Sequence, residues 1–447
     1  MEGLAGALGF EPRIPCSRGR CLTAWPRANG ADRSAAGAPR QPHGRERGKI
    51  GGMSKAKRAP ATREVLTSAE RRTLAALAEG FVPGGGAARA RAAERAFSTV
   101  VDPELVRQLR LVLRLIETRA GSLLIGGRAA RFSSLRGDAR DAYLQHWVQH
   151  RIPLMRSAAS ALRKLLCFLA YADADDPDDQ RTRARLTSIG YNPKPNAATR
   201  DRSPLVAFDP QQARRIAVDV LVIGSGAGGG AVARDLARAG KRVMVIEAGA
   251  LYDERSFPTR ERDAYERLYL DSGFTATDDA HIAILAGGTV GGGTTVNWMT
   301  SIPVPDRVRA EWEERHGVTG IASPRFKQDL NEVLREVGAQ PAESTPPKDA
   351  ALLRGAAGRG WSGEPIRINR AECGDCGTCP FGCKRGSKQS TLRLHLPQAL
   401  AAGAHLIPDC KAERLIIEHG TVHGAVTTYG TRSGSPRTLE IVAPQVV

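Results

Sequence analysis

Two glycine-rich segments and one run of cysteines are the parts of this 447-residue sequence whose spacing could do chemistry. The first segment is Gly224-Ser225-Gly226-Ala227-Gly228-Gly229. It follows an apolar, β-branched run of strand length at 218–223. A helical stretch at 231–239, ended by Gly240, comes next, and a second strand-like run at 242–247 closes the unit. Strand, glycine turn, helix and strand, with an acid at the end of the second strand, is an arrangement that binds the diphosphate of a dinucleotide. Gly224 permits the tight turn. Gly226 has no Cβ, so the backbone can approach the diphosphate, and Gly229 lets helix and strand pack closely. The N–H groups and dipole of the helix start meet the phosphate charge. Ser225, Ala227 and Gly228 belong to the same turn and the same expected site. Glu247 can accept hydrogen bonds from ribose hydroxyls and would disfavour a 2′-phosphate. The rival reading of this segment is a tight turn without ligand.

The second segment runs from Ala286 to Trp298 and contains Gly287, Gly288, Gly291, Gly292 and Gly293. Repeated glycines lose backbone entropy on folding, so they need a reason, and close approach to a flat ligand is one. A flexible linker is the other. Taken with the first segment, this one resembles the glucose–methanol–choline (GMC) oxidoreductases. Those enzymes pair a Rossmann-type FAD site with a loop of two glycines, Gly or Ser, Ser or Thr, two free positions and Asn. The loop maps onto Gly291, Gly292, Gly293, Thr294 and Asn297, with Gly288 and Val290 leading into it. Some members attach FAD through a His just before the Asn. Val296 stands there, so the resemblance implies non-covalent FAD.

The stretch through Asn297-Trp298-Met299-Thr300-Ser301, the run Arg309-Ala310-Glu311-Trp312 and the tail Gly386-Ser387-Lys388-Gln389-Ser390-Thr391 look most like the long-chain fatty alcohol oxidase branch. The resemblance implies oxidation of a hydrophobic primary alcohol to an aldehyde. Hydride passes to the flavin, and electrons go on to oxygen or another acceptor. The family base is a His near the end of a longer chain. No His here matches that motif; His281, His395, His405, His419 and His423 read as structural or exposed. The sequence closes on an apolar run without a polar tail. The expectation is therefore a C-terminally truncated chain with no catalytic residue of its own, inactive or incompletely folded as it stands. Two alternatives stay open: a flavin and iron–sulfur electron-transfer protein, and an inactive fragment.

Cys373, Cys376, Cys379 and Cys383 have the spacing of a bacterial ferredoxin run. Four such thiolates could hold an iron–sulfur cluster or zinc. Lys384 stands where ferredoxins have proline, and no second run exists. Plain thiols, with pKa values lowered by Lys384, Arg385 and Lys388, are the other reading. Cys167 and Cys410 read as small buried hydrophobes.

The elements that position these segments follow from periodicity. Residues 1–62 are rich in Gly, Ala, Pro and Arg, lack any period, and read as a disordered basic tail. Residues 63–191 read as a helical N-terminal domain. Thr67 and Glu70 form a capping box there, and Asp102-Pro103-Glu104 opens another helix. Leu162, Leu165, Leu166 and Leu169 mark an apolar face of a third. Arg and Lys beside these faces add the alternative of a membrane-surface or substrate-entry cap. Residues 192–217 read as a linker. Residues 218–447 read as a Rossmann-type α/β domain that includes the segment 373–391 and the start of an α+β substrate domain. Runs at 414–418 and 422–429 around Gly420 fit a hairpin.

The formal charge of +18 raises nucleic-acid binding as a class. Residues 1–62 hold twelve Lys/Arg against four Asp/Glu, and aromatics are only 5% of the chain, so no basic stripe carries stacking rings. The expected partner is a small hydrophobic alcohol, not a nucleic acid. With no apolar stretch long enough to span a bilayer, the expected location is the cytoplasm, with peripheral membrane contact as the variant.

Overall fold

A computed structural model describes residues 65–447, apart from 100–102, 173–179, 192–203, 274, 276 and 278–281. The expected basic tail and the Asp102 cap lie outside the described residues. Val65–Val447 group as one unit.

Its first helix, Ser68–Phe81, begins at the capping box read from the sequence. The Thr67 N–H donates to Glu70 Oε2 at 2.8 Å, and the Glu70 N–H donates back to Thr67 Oγ1. Glu70 is also bound by Arg110 and Arg114 from the helix Pro103–Leu115. Burial pushes its carboxyl up, but the Thr67 amide, Arg114 and Arg110 outweigh that and hold it below the usual range. Leu74, Leu77, Leu113, Ile116, Trp147 and Leu166 are fully buried in one core. Each leucine there is worth about 1.5–3 kcal/mol. The helices Arg119–Gly126 and Gly137–Val148 meet at Gly126, where a Cβ would lie 2.0 Å from the Tyr143 ring. Phe168, on the long helix Pro153–Ala172, packs at 4.9 Å against Tyr265 of the helix Glu261–Leu268.

A four-stranded parallel sheet carries the first glycine turn. Its order is Gln445–Val446, Val220–Ile223, Val243–Ile246, His405–Ile407. The central strands are buried on both faces, which accounts for their unbroken apolar sequence. Val220, Val222, Val243 and Val245 face a core shared with Ala233 and Ala237 of the helix Ala227–Arg238. Leu221, Met244 and Ile246 face the opposite core, shared with Ala425, Leu439 and Ile441 of a second sheet. That sheet contains the expected hairpin, Cys410–Glu418 with Thr421–Tyr429. His419 and Gly420 turn it with φ of 50° and 79°, the positive pair that a tight two-residue hairpin needs.

Two boundaries differ from expectation. Arg215–Ala217, within the expected linker, is a strand paired in parallel with Arg437–Val442. Ile216 packs partly against the second core, which holds the segment down. The helix expected at 231–239 starts at Ala227, because Gly228, Gly229 and Gly230 adopt helical geometry despite their low propensity. After the second glycine segment come the helices Asp306–His316, Pro324–Glu336 and Pro347–Gly358. A two-stranded sheet, Ala339–Pro341 with Arg367–Asn369, accompanies them.

Candidate functional site

Gly224 leaves its strand with φ of 101° and donates to Ile246 O at 2.8 Å. A Cβ on Gly224 or on Gly228 would meet nothing within 4 Å. Gly226 caps the helix Ala227–Arg238 without a side-chain hydrogen bond, and Ala227 and Gly228 are exposed. The first-turn N–H groups are therefore not claimed by a cap. Gly229 has the packing role expected of it: a Cβ there would lie 1.9 Å from Gly224 O.

Glu247 aims at this turn. Its Oε2 accepts from Ser225 N at 3.0 Å and from Ser225 Oγ at 2.7 Å, and Oε1 accepts from Gly249 N at 2.9 Å. A carboxylate has about four lone-pair sites, so acceptor capacity remains for a ribose. The internal role was not legible from spacing. Ser225 is fully buried, and its Oγ also accepts from Gly291 N at 2.9 Å. One hydroxyl thus ties the first glycine turn to the second.

The second segment comes against the first, backbone to backbone. Gly292, with φ of 52°, would place a Cβ 3.0 Å from Gly226 Cα. Gly291, with φ of 88°, precedes the short helical turn Gly293–Val296. Gly293 is exposed, and a Cβ there would meet nothing within 4 Å. Gly288 has a local reason to be bare, since its Cβ would fall 2.9 Å from Leu270 N. The side chain of Val290, which leads into the loop, is fully buried in the core beneath the sheet, so only its backbone is left to face a ligand. Val296 is buried in the same core. Asn297 Oδ1 accepts from Met299 N at 3.1 Å, which braces the turn after the loop.

Two residues from the cysteine-segment tail complete the web, and neither was singled out for the site from sequence. Thr391 Oγ1 donates to Ser225 O at 3.0 Å and lies 3.0 Å from Thr294 Oγ1, and Thr391 N donates to Thr294 Oγ1 at 3.1 Å. Lys388 is 2% exposed, and its Nζ donates to Thr295 O, Asn297 O and Cys379 O at 2.8, 2.7 and 2.9 Å. Burial pulls the Lys388 ammonium down to about 8, against the opposing effect of Cys379, Cys383 and Cys376. The signal for both residues was the sequence neighbourhood of the cysteines, which carries no cofactor motif of its own.

The cysteines themselves are free and half-buried. Cys383 Sγ accepts from Ser387 N and Lys388 N at 3.3 and 3.4 Å, and Cys376 Sγ is 3.2 Å from Thr378 Oγ1. Among the described residues no three His, Cys, Asp or Glu side chains converge to hold a metal ion. The iron–sulfur and zinc expectations for Cys373, Cys376, Cys379 and Cys383 thus find no preformed ligand set. The expected lowering of thiol pKa values is reversed at Cys379: burial pushes this thiol up, and Lys388 only partly offsets it. Cys410 is buried as expected, whereas Cys167 is half-buried. Among the described residues no histidine enters the hydrogen-bond web around the two loops. His395 is buried at the start of the helix His395–Ala401, and burial pulls its imidazole down.

Bare backbone at 224, 228 and 293, together with an uncapped helix start, fits a diphosphate-bearing dinucleotide. A side chain at any of these positions would fill the space that the backbone leaves open.

Comparison with known proteins bears on the second loop most directly. Residues 265–447 match the family model described as GMC oxidoreductase; the match includes the 287–297 loop and the cysteine segment and begins after the first glycine turn. Long-chain-alcohol oxidase FAO3 of Arabidopsis thaliana is 28% identical over 347 residues, covering 69% of this chain and 46% of that protein. Long-chain-alcohol oxidase FAO4A of the same plant is 35% identical over 206 residues, covering 46% and 28%. An uncharacterized GMC-type oxidoreductase of Mycobacterium tuberculosis is 32% identical over 350 residues, covering 74% and 51%. The chain spans about half the length of the curated relatives it matches over most of its own length.

Proposed function

Because the chain belongs to the GMC oxidoreductase family, we propose that it binds FAD non-covalently and forms the cofactor-holding part of an enzyme that oxidises a hydrophobic, long-chain alcohol to an aldehyde. The carrying observation is the contact of two bare glycine loops, Gly226 against Gly292, with open positions at 224, 228 and 293. Gly226, Ala227 and Gly228 would hold the diphosphate through backbone N–H groups, while Gly224, its own N–H bonded to Ile246 O, turns the chain beneath them. Glu247 would offer its remaining acceptor sites to the adenosine ribose. The loop Gly291–Thr294 and Asn297 would lie along the ring system. Val296, buried and without a nucleophile, supports non-covalent attachment.

When bound, the flavin supplies a hydride acceptor; binding, orientation and electrostatics are the protein's share. Ser225 and Thr391 tie the two loops to each other, and Lys388 braces the second loop against the cysteine segment. The long-chain substrate class rests on the Arabidopsis relatives, which are long-chain-alcohol oxidases by name. Oxygen or another acceptor would take the electrons.

Titrating the purified protein with FAD and following the quenching of flavin fluorescence tests the cofactor reading. The expected result is saturable binding, with all flavin released on denaturation. No uptake of FAD by a folded preparation would overturn it. Oxygen consumption with long-chain primary alcohols, compared with short ones, tests the substrate class separately.

A further inference from the structure

The helix Arg119–Gly126 divides its side chains sharply. Ile125 and Gly126 are buried, while the adjacent Leu123 and Leu124 are 54% and 59% exposed. Gly126 lies so close to the Tyr143 ring that the helix is pinned with this apolar edge outward. A third exposed apolar residue, Ile152 at 47%, is fastened beside it by one imidazole. His150 Nε2 is 3.1 Å from Leu124 O, and Ile152 N donates to His150 Nδ1 at 3.1 Å. With Nδ1 accepting, Nε2–H is the donor to Leu124 O.

Basic groups frame this edge. Arg119 precedes Leu123 by four residues and so shares its helix face. Arg128 follows the helix end, and Arg151 precedes Ile152; all three are exposed. Arg119 also occupies the first turn of a helix that has no acid there, against the helix dipole. Its position is therefore not explained by helix stability. From residue 118 to residue 172 the sequence contains only two acids, Asp138 and Asp141. Asp141 lines a separate groove with Gly80 and Phe81. No helix among the described residues is long and apolar enough to cross a membrane.

We propose that Leu123, Leu124 and Ile152, framed by Arg119, Arg128 and Arg151, form a docking surface for an anionic lipid bilayer. Apolar side chains would enter the headgroup–acyl boundary while the guanidinium groups meet lipid phosphates. Charge complementarity selects this occupant: a framed, acid-poor apolar edge suits a negative surface. Each arginine near such a surface strengthens binding about five-fold at ordinary ionic strength. The proposal gives the hydrophobic alcohol class a place to be met, but it does not depend on flavin binding.

The test uses the full chain with phosphatidylcholine vesicles, with and without phosphatidylglycerol. Leu124→Trp introduces an emission read against the parent. Brominated acyl chains are expected to quench it, and only when phosphatidylglycerol is present. The double variant Leu123→Ser/Leu124→Ser is expected to lower vesicle partitioning about ten-fold or more, with an unchanged melting temperature and unchanged FAD uptake. Arg119→Gln/Arg128→Gln should lower it about twenty-five-fold. Vesicle binding that leaves the new tryptophan unquenched and survives the serine pair would overturn the proposal and assign binding to the basic amino-terminal residues. Self-association abolished by the serine pair, without lipid quenching, would overturn it in favour of a second copy of the chain.

Discussion

Ser225 places two donors on a single oxygen of Glu247: its N–H and its hydroxyl reach Oε2 at 3.0 and 2.7 Å. With Gly249 N–H on the other oxygen, the carboxylate fastens the glycine turn to the end of the neighbouring strand. Glu247→Gln preserves volume but sets an amide donor against these N–H and O–H groups in either orientation. A loss of about 1–3 kcal/mol in denaturant unfolding is expected, with weaker FAD binding. Unchanged stability would mean that the acid serves only the ligand.

Two neighbouring glycines separate packing from ligand access. Gly229→Ala would bring a Cβ to 1.9 Å from Gly224 O, and a loss of about 1–3 kcal/mol or more is expected. Gly228→Ala meets no atom within 4 Å and improves helix propensity by about 1 kcal/mol. The apo protein should therefore unfold no more easily, while FAD affinity falls about ten-fold or more. Parallel losses of stability in both variants would contradict this division.

Acid sensitivity of the helical region should pass through Glu70. Its folded-state carboxyl is held below the usual range, so its contribution is fully present above that range. The contribution fades as pH falls through the lowered folded value. Glu70→Gln is expected to be less stable than the parent by about 1–3 kcal/mol at neutral pH, and the gap should close in acid. Urea unfolding of both proteins across acidic pH measures it; a gap independent of pH would exclude the charge as its source.

Lys388→Met removes an ammonium that serves three carbonyls. Methionine fills the space but leaves Thr295 O, Asn297 O and Cys379 O without that donor, so a loss on the order of 3 kcal/mol is expected. Alkylation followed by mass spectrometry should also show Cys379 reacting slowly in the parent, because burial raises its thiol. Faster reaction is expected in the variant as the segment loosens. A variant with parental stability would show that water replaces the lysine without penalty.

Where one residue type has one physical use, the sequence was readable. The bare turn at Gly224, the close packing at Gly229, the Thr67–Glu70 capping box and the Gly420 hairpin all belong to that class. That the Val290 side chain anchors the loop in the core was not legible, because a valine beside glycines reads equally as loop lining and as core. Arg215–Ala217 looked like linker because three residues beside charged neighbours show no period. Thr391 and Lys388 were missed because most of their partners are backbone carbonyls far away in sequence. A backbone carbonyl leaves no trace in the residue type that supplies it.

The strand that carries the first glycine turn has consequences for folding order. Val220 and Leu221 pair with Gln445 and Val446, and Val447 N donates to Leu221 O at 2.9 Å. A growing polypeptide therefore leaves this edge unpaired until residues 445 and 446 have emerged from the ribosome. Closure over so wide a separation is slow, because loop entropy must be overcome before the pairing gains anything. The bare edge is then the point where an unfinished molecule would aggregate or recruit a chaperone.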